Sequence, residues 1–229
     1  MKIIGAPSGD HVARAAARVF VDLAADAIER RGTFVWAVSG GSTPRRFLDQ
    51  LAKSDRIDWP RIQLFQVDER VAPDGTETRN DTMIREHLAD LSPIGNYAPM
   101  PVVTDDLPRE ASAYQVAIEE AAGQPAVLDL VQLGLGADGH TASLVPDDSS
   151  LDTVDRDIDL TGPYAGARRM TMTYPLINRA RHRLWIVTGA AKRSVLTQMI
   201  GRDPTLPASQ VTTVETTLIT DAFAASKPT

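Results

Sequence analysis

The chain has 229 residues, 43% of them hydrophobic, and a net charge of −6, so it can bury one sizeable core and a single domain over 1–229 is expected. The acidic balance supplies no basic face for nucleic acid, and no run of about 18 apolar residues marks a membrane-spanning helix. The absence of cysteine excludes disulfides and thiolate chemistry and fits the cytoplasm.

Met1-Lys2-Ile3-Ile4-Gly5 turns polar too soon for a secretion signal. Val12, Ala15, Ala16, Val19, Phe20, Leu23, Ala27 and Ile28 recur at helical spacing and predict an amphipathic helix over 10–31. Phe34 to Val38 is a short apolar strand, followed by a helix from Pro44 to Ala52 with Phe47, Leu48 and Leu51 inward. A second strand is predicted from Ile62 to Val67, and helices over 79–90 and 107–122. Val127 to Leu135 is nearly continuous in apolar residues, as in a strand buried on both faces. The polar, acidic stretch from Pro146 to Gly166 reads as a surface excursion. Residues 170–174 have strand character, Arg183 to Thr188 is a further strand, and a helix follows from Ala190 to Ile200. The tail from Ser226 is expected to fray. Alternation of this kind points to an α/β domain with a largely parallel sheet.

Ligands of open parallel sheets bind beyond the carboxyl ends of the strands. Four predicted strands here end in loops with chemical potential, all on one edge. The first, Ser39-Gly40-Gly41-Ser42-Thr43-Pro44, combines backbone-exposing glycines with a helix start, which suits a phosphate as well as an ordinary capped turn. It lacks the Gly-Lys-Thr ending of a Walker loop. The second, Asp68-Glu69-Arg70, can orient an imidazole or a water through Asp68 and hold an anion through Arg70, with Asn80 as a brace or a helix cap. In the third, Gly134-Leu135-Gly136-Ala137-Asp138-Gly139-His140-Thr141-Ala142-Ser143-Leu144, an imidazole near neutrality can accept a proton from water, and Asp138 can shape the loop around it. The fourth places Lys192 in the first turn of a helix, where a bound anion would offset the unfavourable macrodipole. Arg45 and Arg46 read as solvent-facing, His11 and His87 as exposed on helices, and no His or carboxylate spacing suggests a metal.

These segments, together with Arg169-Met170-Thr171-Met172-Thr173 and Gly189-x-x-Lys192, resemble the 6-phosphogluconolactonases over about residues 10–220. The resemblance implies a modified Rossmann-like, three-layer α/β fold shared with glucosamine-6-phosphate deaminases. It implies hydrolysis of 6-phosphoglucono-1,5-lactone to 6-phosphogluconate, the second step of the oxidative pentose phosphate pathway; the mechanism needs no metal or organic cofactor, and a cytoplasmic monomer is the default expectation. On this reading Gly40, Gly41, Ser42, Thr43 and Lys192 hold the 6-phosphate with help from Arg169, and His140 is the base. Asp68 or Asp138 orients His140 or the water, while loop N–H groups or Arg70 stabilise the oxyanion. Deaminases resemble the chain at Asp-Gly-His but carry a glutamate where this chain has Val145, and a tyrosine where it has Arg70. A non-catalytic sugar-phosphate sensor is the alternative of a different class. The chain departs from the lactonase pattern at Gly162-Pro163-Tyr164-Ala165-Gly166-Ala167-Arg168-Arg169, where a Lys-Pro-Pro stretch is usual, which leaves either Arg168 or Arg169 to face substrate.

Overall fold

The computed structural model describes residues 1–88 and 96–223, with the backbone alone at Ser42. In chain order the elements are β1 (Lys2–Gly5), α1 (Gly9–Arg31), β2 (Phe34–Val38), α2 (Ser42–Ala52), β3 (Ile62–Gln66), β4 (Asp68–Arg70), α3 (Asn80–Leu88) and β5 (Tyr97–Ala98). They continue with α4 (Leu107–Ala122), β6 (Leu130–Leu133), β7 (Ile158–Leu160), β8 (Arg169–Met172), α5 (Tyr174–Arg179), β9 (His182–Val187), α6 (Arg193–Ile200) and β10 (Thr216–Thr220). Seven strands form one sheet in the order β1-β10-β9-β6-β2-β3-β5, and each pairing in it is parallel. The remaining three form an antiparallel sheet, β4-β8-β7.

Strand periodicity sorts the core into two layers. Along β2, Phe34, Trp36 and Val38 join α1, α2 and α3 in one cluster. Val35 and Ala37 face the other way and join α4, α5 and α6. Each strand face therefore carries its own helices, which explains why β2, β6 and nearly all of β9 are buried on both sides. On the first face Phe20 stands edge-on to Trp36 at 4.6 Å and to Phe34 at 5.2 Å, a geometry that adds to the gain from burial. The helix α1 stops where Gly32 adopts φ 81° and returns its N–H to Ile28.

The expected strands and helices form, with adjusted bounds. The second of the four strand-end loops is itself a strand: Asp68–Arg70 pairs with Arg169–Thr171. Asp68 and Arg70 line the cleft, whereas Glu69 between them is fully buried rather than solvated. The strand expected over Val127–Leu135 is only Leu130–Leu133, because Gly134 and Gly136 start the following loop early. Within the supposed surface excursion, Ile158–Leu160 pairs with Met170–Met172 and buries Ile158. The helix expected from Ala190 begins as a 3-10 turn, Ala190–Lys192, so Lys192 caps α6 instead of lying in its first turn. The end of the helix expected over 79–90 and the tail from Ser226 lie outside the described residues. Among the described residues, no helix is long and apolar enough to cross a membrane.

Candidate active site

The loops after β2, β6 and β9, together with β4 and β8, enclose a cleft of about 500 Å³ at the carboxyl edge of the large sheet. Gly40, Gly41, Thr43, Asp68, Arg70, Asp138, His140, Arg169 and Lys192 all line it. Of the residues singled out in the sequence, only the Ser42 side chain lies outside what is described.

One end of the cleft is a helix start. Gly41 precedes α2 with φ 110°, a conformation open to glycine but strained for other residues. The first turn of α2 carries no acidic residue, so its free N–H groups and partial positive charge face the cleft uncompensated. Thr43 Oγ1 lies 2.8 Å from Thr188 Oγ1, which ties this turn to the end of β9, next to Lys192. Gly40 is required for a different reason. A Cβ there would lie 1.7 Å from Asn80 Oδ1, because the Asn80 amide inserts between the two loops and donates to the Asp68 carbonyl at 2.8 Å. Asn80 is thus a brace, and it also opens α3.

The other end is built by the loop after β6. Gly136 N–H donates to the His140 carbonyl at 2.8 Å, and Thr141 Oγ1 donates to the Gly134 carbonyl at 2.9 Å, closing the loop on itself. His140 Nδ1 lies 2.6 Å from Asp138 Oδ1. A carboxylate can only accept, so Nδ1 carries the proton. Nε2 has no hydrogen-bond partner among the described residues and is free to act as an acceptor in the cleft. Burial pushes the Asp138 carboxyl up, but hydrogen bonds from Tyr164 and His140 and the charge of His140 outweigh it, and the net shift is downward. Asp138 is therefore ionised near neutrality.

Asp68 is placed elsewhere than beside His140. Its Oδ2 accepts from Ser143 Oγ at 2.6 Å and its Oδ1 from Asn80 Nδ2 at 3.3 Å. Of the two carboxylates considered for orienting the imidazole, Asp138 makes the contact. Arg169 is buried at 5% exposure, with Nη1 3.4 Å from Ser143 Oγ and with Nε lacking a hydrogen-bond partner among the described residues. Burial lowers its pKa against the opposing pull of Asp68, and Arg70 nearby lowers it further. Two guanidinium groups, one of them incompletely solvated, thus converge on the cleft, a setting that favours an anion. Arg168 is exposed and donates to the Thr161 carbonyl, so Arg169 is the arginine that faces the cleft.

Two contributors were not singled out from sequence. Glu69, fully buried, accepts from the Asn80 and Asp81 amides at 2.8 Å each and so caps α3 from the preceding strand. Its burial among charged neighbours in sequence gave no periodic signal. Tyr164 reaches the cleft from the loop between β7 and β8, with its hydroxyl 2.8 Å from Asp138 Oδ2. The departure from the lactonase pattern at 162–169 was the available clue. His87 is not the exposed helix residue expected: its Nδ1 lies 2.6 Å from Asp49 and the ring is largely buried. Among the described residues no group of three or more His, Cys, Asp or Glu is placed to hold a metal ion.

A helix start free of acidic residues and a carboxylate-held histidine, lining one cleft at the carboxyl edge of a parallel sheet together with Arg70, Arg169 and Lys192, define an α/β enzyme with a cationic cleft. The family described as glucosamine-6-phosphate isomerases/6-phosphogluconolactonase matches residues 7–220, and the chain belongs to it. It is 38% identical over 176 residues to a 6-phosphogluconolactonase of Synechocystis, covering 74% of this chain and 72% of that one. The structure of a 6-phosphogluconolactonase from Trypanosoma cruzi superposes with a TM-score of 0.87 at 28% identity, covering 100% of this chain and 97% of the other. A monomeric glucosamine-6-phosphate deaminase shares the fold, with a TM-score of 0.82 at 17% identity over 97% of this chain and 98% of its own. The fold alone therefore does not separate the two activities. Val145, where deaminases carry glutamate, is buried at 3% exposure and lies outside the cleft lining.

Proposed function

We propose that the chain hydrolyses 6-phospho-D-glucono-1,5-lactone to 6-phospho-D-gluconate, acting as a single domain. The observation that carries this reading is the state of His140: Nδ1 is held by Asp138 at 2.6 Å, leaving Nε2 as the free nitrogen of a ring that lines the cleft. The start of α2, with Gly40, Gly41, Ser42 and Thr43, and Lys192 across from it receive the 6-phosphate. Held there, the lactone presents C1 to His140. Nε2 takes a proton from water as the water oxygen bonds to C1, and the carbonyl becomes an oxyanion. Arg169 and Arg70 supply positive charge for that oxyanion. Asp138 stabilises the imidazolium that has formed. The C1–ring oxygen bond then breaks, and the proton on Nε2 passes to the departing oxygen, leaving a hydroxyl and a carboxylic acid that releases its proton to solvent. Val145 supports hydrolysis over deamination, since a valine moves no proton.

The test is hydrolysis of the lactone generated in situ from glucose 6-phosphate, against a blank without enzyme because the lactone also opens unaided. His140→Ala should lower kcat by about 10²–10⁴-fold, the usual worth of a general base, with unfolding unchanged. Near-normal turnover in that variant would refute the assignment of the base.

A further inference from the structure

We propose that Tyr164 is a positioning residue of this site: its hydroxyl fixes Asp138 so that Asp138 holds His140 with one nitrogen free, and its ring seats Arg169. The proposal rests on the hydrolytic reading above and adds a residue that the shared loops do not contain.

Tyr164 lies in the hairpin between β7 and β8, where the chain departs from the lactonase pattern. Tyr164 N–H donates to the Ala167 carbonyl at 3.0 Å, and the reverse bond is 3.3 Å. The two central residues, Ala165 at φ 50° and Gly166 at φ 85°, are both left-handed, as the tightest hairpin turns require. The turn therefore delivers Tyr164 to the cleft in one orientation. Its hydroxyl donates to Asp138 Oδ2 at 2.8 Å. Asp138 Oδ1 accepts from His140 Nδ1 at 2.6 Å and from the His140 amide at 3.3 Å. Each carboxylate oxygen thus has its own donor, and rotation of the carboxylate would break both.

The ring acts on two further groups. It meets His140 edge-on, with centroids 5.6 Å apart and planes at 70°. Its face lies 5.0 Å from Arg169 Cζ, a cation–π distance. Arg169 has few other anchors: Nη1 lies 3.4 Å from Ser143 Oγ, and the buried Nε has no hydrogen-bond partner among the described residues.

The electrical consequence has a sign. A donor on Oδ2 draws charge from the carboxylate and weakens its pull on an imidazolium at Oδ1. Without the hydroxyl, the Asp138 charge would stabilise protonated His140 more strongly. The other charged groups facing the pair are Arg169 from β8, Asp68 and Arg70 from β4 and Lys192 beyond β9. All of them remain in Tyr164→Phe, which also keeps the ring.

The experiment compares wild type, Tyr164→Phe and Tyr164→Leu by the pH profile of lactone hydrolysis and by long-range proton–nitrogen NMR titration of His140 without substrate. In Tyr164→Phe the His140 titration and the acid limb of kcat should both move up relative to wild type, with kcat down by about tenfold and KM within about twofold. Tyr164→Leu should add a several-fold rise in KM as Arg169 loses its platform. An unmoved His140 titration in Tyr164→Phe would overturn the role of the hydroxyl, and an unmoved KM in Tyr164→Leu that of the ring. If wild type fails to hydrolyse the lactone faster than the blank, the hydrolytic reading falls, and the NMR titration still decides whether Tyr164 acts on His140.

Discussion

At the scale of single residues, the site depends on backbone positions that hold no side chain. A Cβ at Gly136 would fall 2.2 Å from His140 Nδ1 and 2.5 Å from Asp138 Oδ1, so it can be accommodated only by displacing the two side chains of the pair. The imidazole and carboxylate must both move, and a misplacement of the order of 1 Å costs about 10²-fold in rate. Gly136→Ala is therefore expected to lower kcat by about that factor while the KM for the lactone changes little, since the start of α2, proposed to receive the phosphate, lies at the other end of the cleft. Steady-state kinetics check this, and a variant with a raised KM and unchanged kcat would contradict it. Asp138 and His140 were legible because glycines, carboxylate and imidazole crowd one strand end. Tyr164 was not, because its role depends on a hairpin that brings residues 26 positions apart within 2.8 Å.

At the scale of elements, buried polar groups connect the second sheet to the cleft. Glu69 has no solvent exposure, and its carboxylate receives the first two amides of α3, Gln66 Nε2 at 2.9 Å and the Arg70 amide at 2.8 Å. Arg79 Nε lies 3.3 Å away as an ion-pair partner, itself at 3% exposure. A negative charge at a helix start is favourable, and removing one partner of a buried pair strands the other at a cost of about 3–5 kcal/mol. Glu69→Ala should lower unfolding stability by that amount in urea titrations. A loss below about 1 kcal/mol would mean that water replaces the carboxylate at no great cost. Long, strongly periodic elements such as α1 and α4 could be read to within a residue of their ends. The strand β10 was missed although its residues are β-branched, because Thr216, Thr217 and Thr220 look like surface polar residues and are buried only through pairing with β9 and β1. The two-residue β5 is too short to show any period.

At the scale of the whole molecule, the parallel sheet separates chemistry from stability along its strands. The strand β9 runs from His182 at its start to Val187 beside the cleft. His182 Nε2 lies 3.1 Å from Thr217 Oγ1 on the neighbouring strand. Burial lowers its pKa below the ordinary 6.5, Arg183 lowers it further and Glu215 opposes them, so the fold prefers the neutral ring. A depressed folded pKa contributes stability that is fully present above the unfolded value and is lost as pH falls through the folded one. The protein should accordingly lose thermal stability as pH drops below about 6.5, ahead of the losses at lower pH from Asp138 and Asp148, whose carboxyls are held below their ordinary value. In His182→Asn the first of these slopes should flatten, because an amide can face Thr217 without titrating. The acid limb of kcat should not move, since His182 lies at the end of β9 away from the cleft. Melting temperatures and rates measured across pH 5–8, about the range in which histidines titrate, separate the two. A catalytic limb that shifted with His182→Asn would mean that the two ends of the sheet are coupled.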